Sequence, residues 1–322
     1  MTRPKILITR PWPKAAEDDL RRRYDVTVND AAPLDRAGLV QAMRDYDALC
    51  ATVTDKLDAE VLATPGARVK MIGNFGVGFE HIDVKAAKAA GIRVSNTPDV
   101  LTDATADIAL LLMLMASRRA GEGERQLRSG GWKGWGTTHL MGQSLQGKTL
   151  GLIGFGRIGQ ATAHRAHAAL GMKIAYHNRR RIDPELEGPL GATYVADVND
   201  LIRQSDVLSL HCPGGAETRH LIDAERLRLM KPTAILINTA RGSVVNEADL
   251  AAALRDNVIA AAGLDVYEAE PQVHPDLLDL ENAVLLPHLG SATVETRTKM
   301  GLRVCANIDR FFAGEPLLDP VA

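Results

Sequence analysis

"TLGLIGFGRIGQATAHRAHAAL", residues 149–170, sets a run of aliphatic residues directly against a glycine triplet and then a helical pattern. The triplet is Gly154, Gly156 and Gly159, in the G-x-G-x-x-G spacing of a dinucleotide fingerprint. It stands where that fingerprint has to stand, after a strand and at the opening of a helix. Gly154 permits the tight turn, Gly156 lets the backbone approach a pyrophosphate, and Gly159 lets helix and strand pack closely. The helix N-terminus adds positive dipole for the phosphates. A tight strand-to-helix turn with no ligand is the plain alternative. A second strand at the right distance, "KIAYHN" (173–178), favours the nucleotide.

Outward from this stretch, short aliphatic runs alternate with helix-length segments, the pattern of parallel sheets covered by helices on both faces. One set comprises "KILITR" (5–10), "DALCAT" (47–52), "KMIGNF" (70–75) and "RVSN" (93–96). The other comprises "TLGLIGFG" (149–156), "KIAYHN" (173–178), "DVLSLHC" (206–212), "AILINT" (234–239), "IAAAGLDV" (259–266) and "AVLLP" (283–287). Between them "DVLTDATADIALLLMLMASRR" (99–119) reads as a buried helix that begins just after Pro98. A last helix from about Thr293 to Phe312 is expected to pack back on the first set. The expected architecture is α/β with two doubly wound parallel sheets. A flavodoxin-like, substrate-binding domain takes residues 1–98 plus 291–322, and a dinucleotide-binding Rossmann domain takes residues 99–290, with the active site in the cleft between them. "SGGWKGWGTTHLMG" (129–142) reads as a Gly-rich loop extending away from the sheet, where Trp132 and Trp135 suit either packing in a dimer interface or a reach into a partner's active site.

Composition excludes several function classes. The chain has 322 residues, with 38 Lys plus Arg against 40 Asp plus Glu and a formal net charge of −2, so no global field attracts nucleic acid or anionic lipid. Cys50, Cys212 and Cys305 are far apart and form no C-x-x-C unit, which argues against a disulfide framework and a zinc site. His164 and His167 share a helix but have no further ligand, so no metal is expected. "MTRPKILITR" lacks a signal peptide's apolar core, and the run from Ile108 to Ala116 is far short of the ~20 residues of a membrane span. A soluble cytoplasmic protein is the expectation.

A second glycine motif is a decoy. "GQSLQGKT" (142–149) matches the phosphate-binding pattern of nucleoside triphosphatases, yet Lys148 and Thr149 lead into a strand, whereas that loop must lead into a helix. The strand end about 20 residues past the true fingerprint, which holds Asp or Glu in NAD-binding folds, is here "HNRRR" (177–181). With no carboxylate to repel it, a ribose 2′-phosphate could sit beside Asn178, held by the forked guanidinium groups of Arg179 and Arg180. A solvated basic turn is the alternative, and Arg181 suits that description best. The expected cofactor is NADP(H), with NAD(H) weaker.

Three further stretches fall at strand ends of the second set: "NTARGSVVN" with Arg241, "LDVYEAEP" with Glu270, and "LLPHLGSAT" with His288. They supply an anion binder, a carboxylate and a proton shuttle where open α/β sheets bind ligands. Together with "GFGRIG" and "NFGVGFEHID" (74–83), in this order and spacing, they resemble the D-isomer-specific 2-hydroxyacid dehydrogenases, and "HNRRR" resembles the NADP-dependent glyoxylate/hydroxypyruvate reductases among them. The likeness spans roughly Asn74 to Met300. It implies NADPH-dependent reduction of small 2-keto acids to D-2-hydroxy acids, with His288 as general acid, Glu270 orienting it and favouring its imidazolium, and Arg241 gripping the substrate carboxylate beside the backbone amides of Val77 and Gly78. It also implies that Asp265 accepts from the nicotinamide carboxamide, that Thr239 and Thr105 line that pocket, that Cys212 and Pro213 border the adenosine, and that Arg157 and Ile158 donate amides to the pyrophosphate. A homodimer is expected, and no regulatory domain after residue 322. Reduction of bulkier 2-keto acids and a dinucleotide-sensing binding role stay open as alternatives.

Overall fold

The computed structural model describes residues 3–321. The chain divides into two compact units: one runs to Leu101 and resumes at Ala292, and the other spans Thr102–Ser291. The exchange falls slightly later than the expected 98/99 and 290/291. Asp99, at φ +71°, and a turn from Val100 N to Pro98 O delay the helix to Thr102–Ser117.

In the first unit β1 (Lys5–Ile8), β2 (Asp25–Val28), β3 (Ala48–Ala51), β4 (Met71–Asn74) and β5 (Arg93–Ser95) form one sheet in the order β2-β1-β3-β4-β5. Every pairing is parallel, and the order is flavodoxin-like. The central strands β3 and β4 are buried at every position, so they read as continuous apolar runs. The helix Val294–Phe312, N-capped by Thr293, returns to this sheet and buries Val304, Cys305 and Ile308 among Ile6, Ile8, Trp12 and Leu20. Two glycines make the fit possible: a Cβ on Gly73 would stand 2.5 Å from Val304 Cγ1, and one on Gly301 2.5 Å from Ala16 Cβ.

In the second unit β6 (Thr149–Ile153), β7 (Lys173–His177), β8 (Thr193–Tyr194), β9 (Val207–Leu210), β10 (Ile235–Asn238), β11 (Ala261–Leu264) and β12 (Ala283–Leu285) are ordered β12-β11-β10-β9-β6-β7-β8. All pairings are again parallel. Strand order reverses between β6 and β9, which is the topological switch point where such sheets bind their ligands. The helix Thr102–Ser117 lies on β10 and β11 and against the helix Arg157–Leu170. Gly263 in β11 admits it, since a Cβ there would meet Leu112 Cβ at 2.9 Å. The decoy phosphate motif runs into β6, whose first residue is Thr149. The helix Ala120–Arg128 has no buried residue, and the segment 129–142 after it holds no strand or helix and exposes Trp132 and Trp135. Among the described residues no helix is long and apolar enough to cross a membrane.

Two strands escaped the sequence pattern, β2 and β8. Both are sheet edges, half exposed, and polar at alternate positions.

The contact of the last helix with the first sheet leaves no room for a side chain at residue 301. Gly301→Leu is expected to destabilise the fold by about 1–3 kcal/mol through overpacking, read as a lower urea midpoint with unchanged m-value.

Candidate active site

The glycine triplet divides its tasks as its spacing implies. Gly154 is at φ +94°, and a Cβ on it would stand 2.6 Å from Cys212 N and 2.7 Å from His211 O, so no other residue lets the β6 turn pass the end of β9. A Cβ on Gly159 would come within 2.4 Å of Gly154 O, which closes the helix onto the turn. A Cβ on Gly156 would meet nothing within 4 Å, so that position borders open space, and Gly156 caps the helix Arg157–Leu170 without any side-chain acceptor for its first amides. Arg157 and Ile158 head that helix. Open backbone at a helix N-terminus fits a pyrophosphate.

At the end of β7 the Asn178 Oδ1 accepts from Phe155 N at 2.8 Å, which holds the strand end beside the glycine turn. The amide nitrogen of Asn178 is thereby left as a donor. Arg179 is exposed and donates to Glu217 Oε2 at 2.9 Å, and Arg180 is exposed. Arg181 turns the other way and pairs through both Nε (2.9 Å) and Nη2 (2.6 Å) with buried Glu187, which also accepts from Tyr176 O–H at 2.5 Å. The Arg181 hydrogen bond, then that of Tyr176, holds the Glu187 carboxyl down at about 2. The three arginines thus have two different employments.

The chemical set gathers at the ends of β10, β11 and β12. The His288 Nδ1 lies 2.8 Å from Glu270 Oε2. Burial pushes the Glu270 carboxyl up, but the His288 hydrogen bond and charge, the Tyr267 amide at 3.0 Å and the Arg241 charge outweigh it and hold the group below its ordinary value. An ionised carboxylate only accepts, so Nδ1 carries the proton and Nε2 is the nitrogen left to act. His211, at the switch point, is no competing acid: burial drops it to about 4. Burial also raises the Cys212 thiol to about 11, so Cys212 remains a thiol beside Gly154, with Pro213 following it. Among the described residues no cluster of three His, Cys, Asp or Glu side chains suits a metal ion.

Main-chain clamps hold the segment that carries His288. Asp265, buried beyond β11, accepts from Leu289 N at 2.6 Å and Gly290 N at 2.7 Å, and Thr105 Oγ1 donates to Gly290 O at 3.1 Å. His288 itself is at φ +54°, a conformation that side-chain-bearing residues seldom adopt. Thr239 Oγ1 is buried with no partner among the described residues, an orphan that a bound group would satisfy. Asp265, Thr105 and Thr239 therefore meet around the same strand ends as His288, though two of them already serve the backbone.

Sequence reasoning missed four supports of this site. Asn238 donates to Arg241 O (2.9 Å) and accepts from Ala240 N (3.0 Å), which shapes the turn that carries Arg241. Gly242 packs so closely that a Cβ on it would overlap the carbonyl of Tyr267, setting the Arg241 turn against the Glu270 loop. Tyr267 O–H donates to Leu286 O at 2.9 Å, and buried Glu247 accepts from Glu268 N at 2.6 Å. Only Gly242 left a trace in the sequence, as a glycine directly after the arginine. In the first unit, Val77 and Gly78 follow β4 in a loop of their own.

A family model described as D-isomer specific 2-hydroxyacid dehydrogenase, NAD binding domain, matches residues 110–290. A glyoxylate reductase of Thermococcus litoralis is 46% identical over 318 residues, covering 97% of this chain and 95% of that protein. The crystal structure of a glyoxylate reductase from Paecilomyes thermophila superposes with a TM-score of 0.87 at 38% identity, over 100% of this chain and 99% of its own. An NADPH-dependent glyoxylate/hydroxypyruvate reductase from Sinorhizobium meliloti, solved with NADP and malonate, superposes with a TM-score of 0.88 at 38% identity, over 100% of this chain and 97% of its own.

The Arg181–Glu187 pair makes stability depend on pH in a defined sense. A carboxyl depressed on folding stabilises the native state above its unfolded value of 4.5 and progressively less as pH falls toward about 2. Arg181→Met is expected to lower Tm by a few degrees near neutral pH and by less at each step below about pH 4.5; a deficit independent of pH in calorimetric scans would refute this assignment.

Proposed function

Because the chain belongs to the D-isomer specific 2-hydroxyacid dehydrogenase family, we propose that it reduces small 2-keto acids, glyoxylate and hydroxypyruvate, to D-2-hydroxy acids with NADPH. The observation that carries this reading is the 2.8 Å pairing of His288 Nδ1 with an ionised Glu270, which leaves Nε2 as a proton donor at the sheet edge that also holds Arg241. When bound, the reduced nicotinamide supplies the hydride that reaches the carbonyl carbon. His288 delivers a proton to the carbonyl oxygen as negative charge develops there. Glu270 offsets the positive charge on the imidazole and keeps its ring aligned. Arg241 grips the substrate carboxylate with its planar fork and polarises the ketone, and the amides of Val77 and Gly78 add donors to the same carboxylate.

The cofactor-holding residues follow from the same reading. Gly154, Gly156 and Gly159, with the amides of Arg157 and Ile158, receive the pyrophosphate. Cys212 and Pro213 border the adenosine, and Thr105, Thr239 and Asp265 line the nicotinamide side. The Asn178 amide, Arg179 and Arg180 receive the 2′-phosphate, a dianion that outcompetes the single carboxylate of Glu217 for Arg179. NAD(H), with nothing to place there, is the weaker cofactor. Leu127, Trp132, Trp135 and Met141 are exposed on one helix and the loop after it, and a second copy of the chain forming a homodimer would cover them. Three buried free thiols suit a reducing cytoplasm.

The direct test is a panel of glyoxylate, hydroxypyruvate and phenylpyruvate with NADPH and NADH in turn. The small acids with NADPH are expected to give the highest kcat/KM; a strong NADH preference would overturn the cofactor assignment. No turnover together with dinucleotide-dependent capture of another protein would instead favour a sensing role.

His288→Ala is expected to lower kcat by roughly 10²- to 10⁴-fold with NADPH binding unchanged in a fluorescence titration. Arg179→Ala combined with Arg180→Ala is expected to raise KM for NADPH at least about tenfold and KM for NADH by less than about twofold. Equal effects on the two cofactors would mean that the arginines form only a solvated turn.

A further inference from the structure

The glycine-rich loop after β4 is more firmly built than a flexible connection requires. Asn74, the last residue of β4, is fully buried, and its Nδ2 donates to Gly76 O at 3.0 Å and to Gly78 O at 2.8 Å. With that nitrogen so placed, Oδ1 faces His81 Nε2 at 3.0 Å, so His81 donates and locks the orientation of the amide. From the strand end at β5, Asn96 Nδ2 donates to Val77 O at 2.8 Å, and Thr97 N donates to Gly76 O at 3.0 Å. Three consecutive carbonyls, those of residues 76, 77 and 78, are therefore all held by donors of the first unit.

The peptide geometry turns this into a consequence for the amides. In a trans peptide the N–H points opposite to the carbonyl of the preceding residue. Holding the carbonyls of Gly76 and Val77 aims the N–H groups of Val77 and Gly78 away from their staples. Among the described residues neither amide meets an acceptor. Two successive N–H groups left unsatisfied and fixed in direction form a small concave donor site for an anion.

We propose that Asn74 is a positioning residue for substrate: it holds the loop so that the amides of Val77 and Gly78 receive the carboxylate of a small 2-keto acid. Asn96 is a second staple on the same device. This rests on the reading above that those two amides meet the substrate. Asn74 itself touches no reacting atom. Its buried amide is chosen over an apolar residue because without its donor the carbonyls of Gly76 and Gly78 would lose the bonds that fix the loop, and the amides between them would turn with it.

The test compares Asn74→Ala and Asn96→Ala with the unaltered enzyme, measuring kcat, KM for glyoxylate, KM for NADPH and Tm. The expected result is KM for glyoxylate raised about tenfold in Asn74→Ala and about threefold or more in Asn96→Ala, with kcat lowered less than about threefold and KM for NADPH within about twofold. A glyoxylate KM unchanged in both variants, or losses spread equally over both KM values and kcat, would overturn the proposal. If Asn74→Ala does not fold, Asn96→Ala, whose side chain is half-buried in a loop, decides the matter alone. Absence of any 2-keto acid turnover in the unaltered enzyme would overturn the underlying reading; turnover with an unmoved KM in the variants would overturn only the staple.

Discussion

The geometry of the candidate site in the second unit depends on one buried carboxylate. Asp265 accepts the amides of Leu289 and Gly290, the two residues that follow His288. These bonds fix the main chain on which the imidazole is mounted, including its left-handed φ of +54°. Burial raises the Asp265 carboxyl, and the Leu289 amide, the His288 charge and the Gly290 amide pull it back toward the ionised form. Thr105 completes the clamp from the helix Thr102–Ser117 by donating to the Gly290 carbonyl. With the backbone held, the bond between Glu270 and His288 sets only a ring orientation and a proton. A side-chain pair on an unclamped loop would have to order the loop as well.

The second constraint is the parallel sheet itself. Because β9, β10, β11 and β12 all run in one direction, every loop at their carboxyl ends leaves from the same edge. Arg241 follows β10, Asp265 and Glu270 follow β11, and His288 follows β12, so residues spread over positions 241–288 of the sequence leave from three adjacent strands. Gly242 then sets the remaining distance, since its bare backbone lies against the Tyr267 carbonyl and admits no side chain between the Arg241 turn and the Glu270 loop. The glycine triplet plays the same part on the other side of the switch point, where Gly154 lets β6 pass the end of β9. Close approach of backbone to backbone, possible only at glycine, assembles both halves of the site.

The basic strand end shows how one local composition divides into separate roles. Arg179, Arg180 and Arg181 are consecutive in sequence and all exposed, but the last is tied by two bonds to buried Glu187 while Arg179 meets only the exposed carboxylate of Glu217. Asn178 joins them to the glycine turn through Phe155 N. The same residue type is thus structural at one position and available to an anion at the next, and the partner across the fold makes the difference.

By itself the sequence determined the α/β class and the glycine turn, because buried parallel strands and a glycine triplet leave strong local patterns, and it named the residues proposed to carry the chemistry. It also rejected the second glycine motif on context alone, since a strand follows it. The edge strands β2 and β8 left no such pattern: half exposed, they alternate polar residues like any surface segment. Only the tertiary structure decided that Asp265 and Thr105 clamp backbone, that Asn238 and Tyr267 support the arginine and histidine loops, and that Asn74 and Asn96 between them hold three carbonyls. Those roles are hydrogen bonds to main-chain atoms, which every residue possesses, so nothing in the partner's identity announces them before the chain has folded.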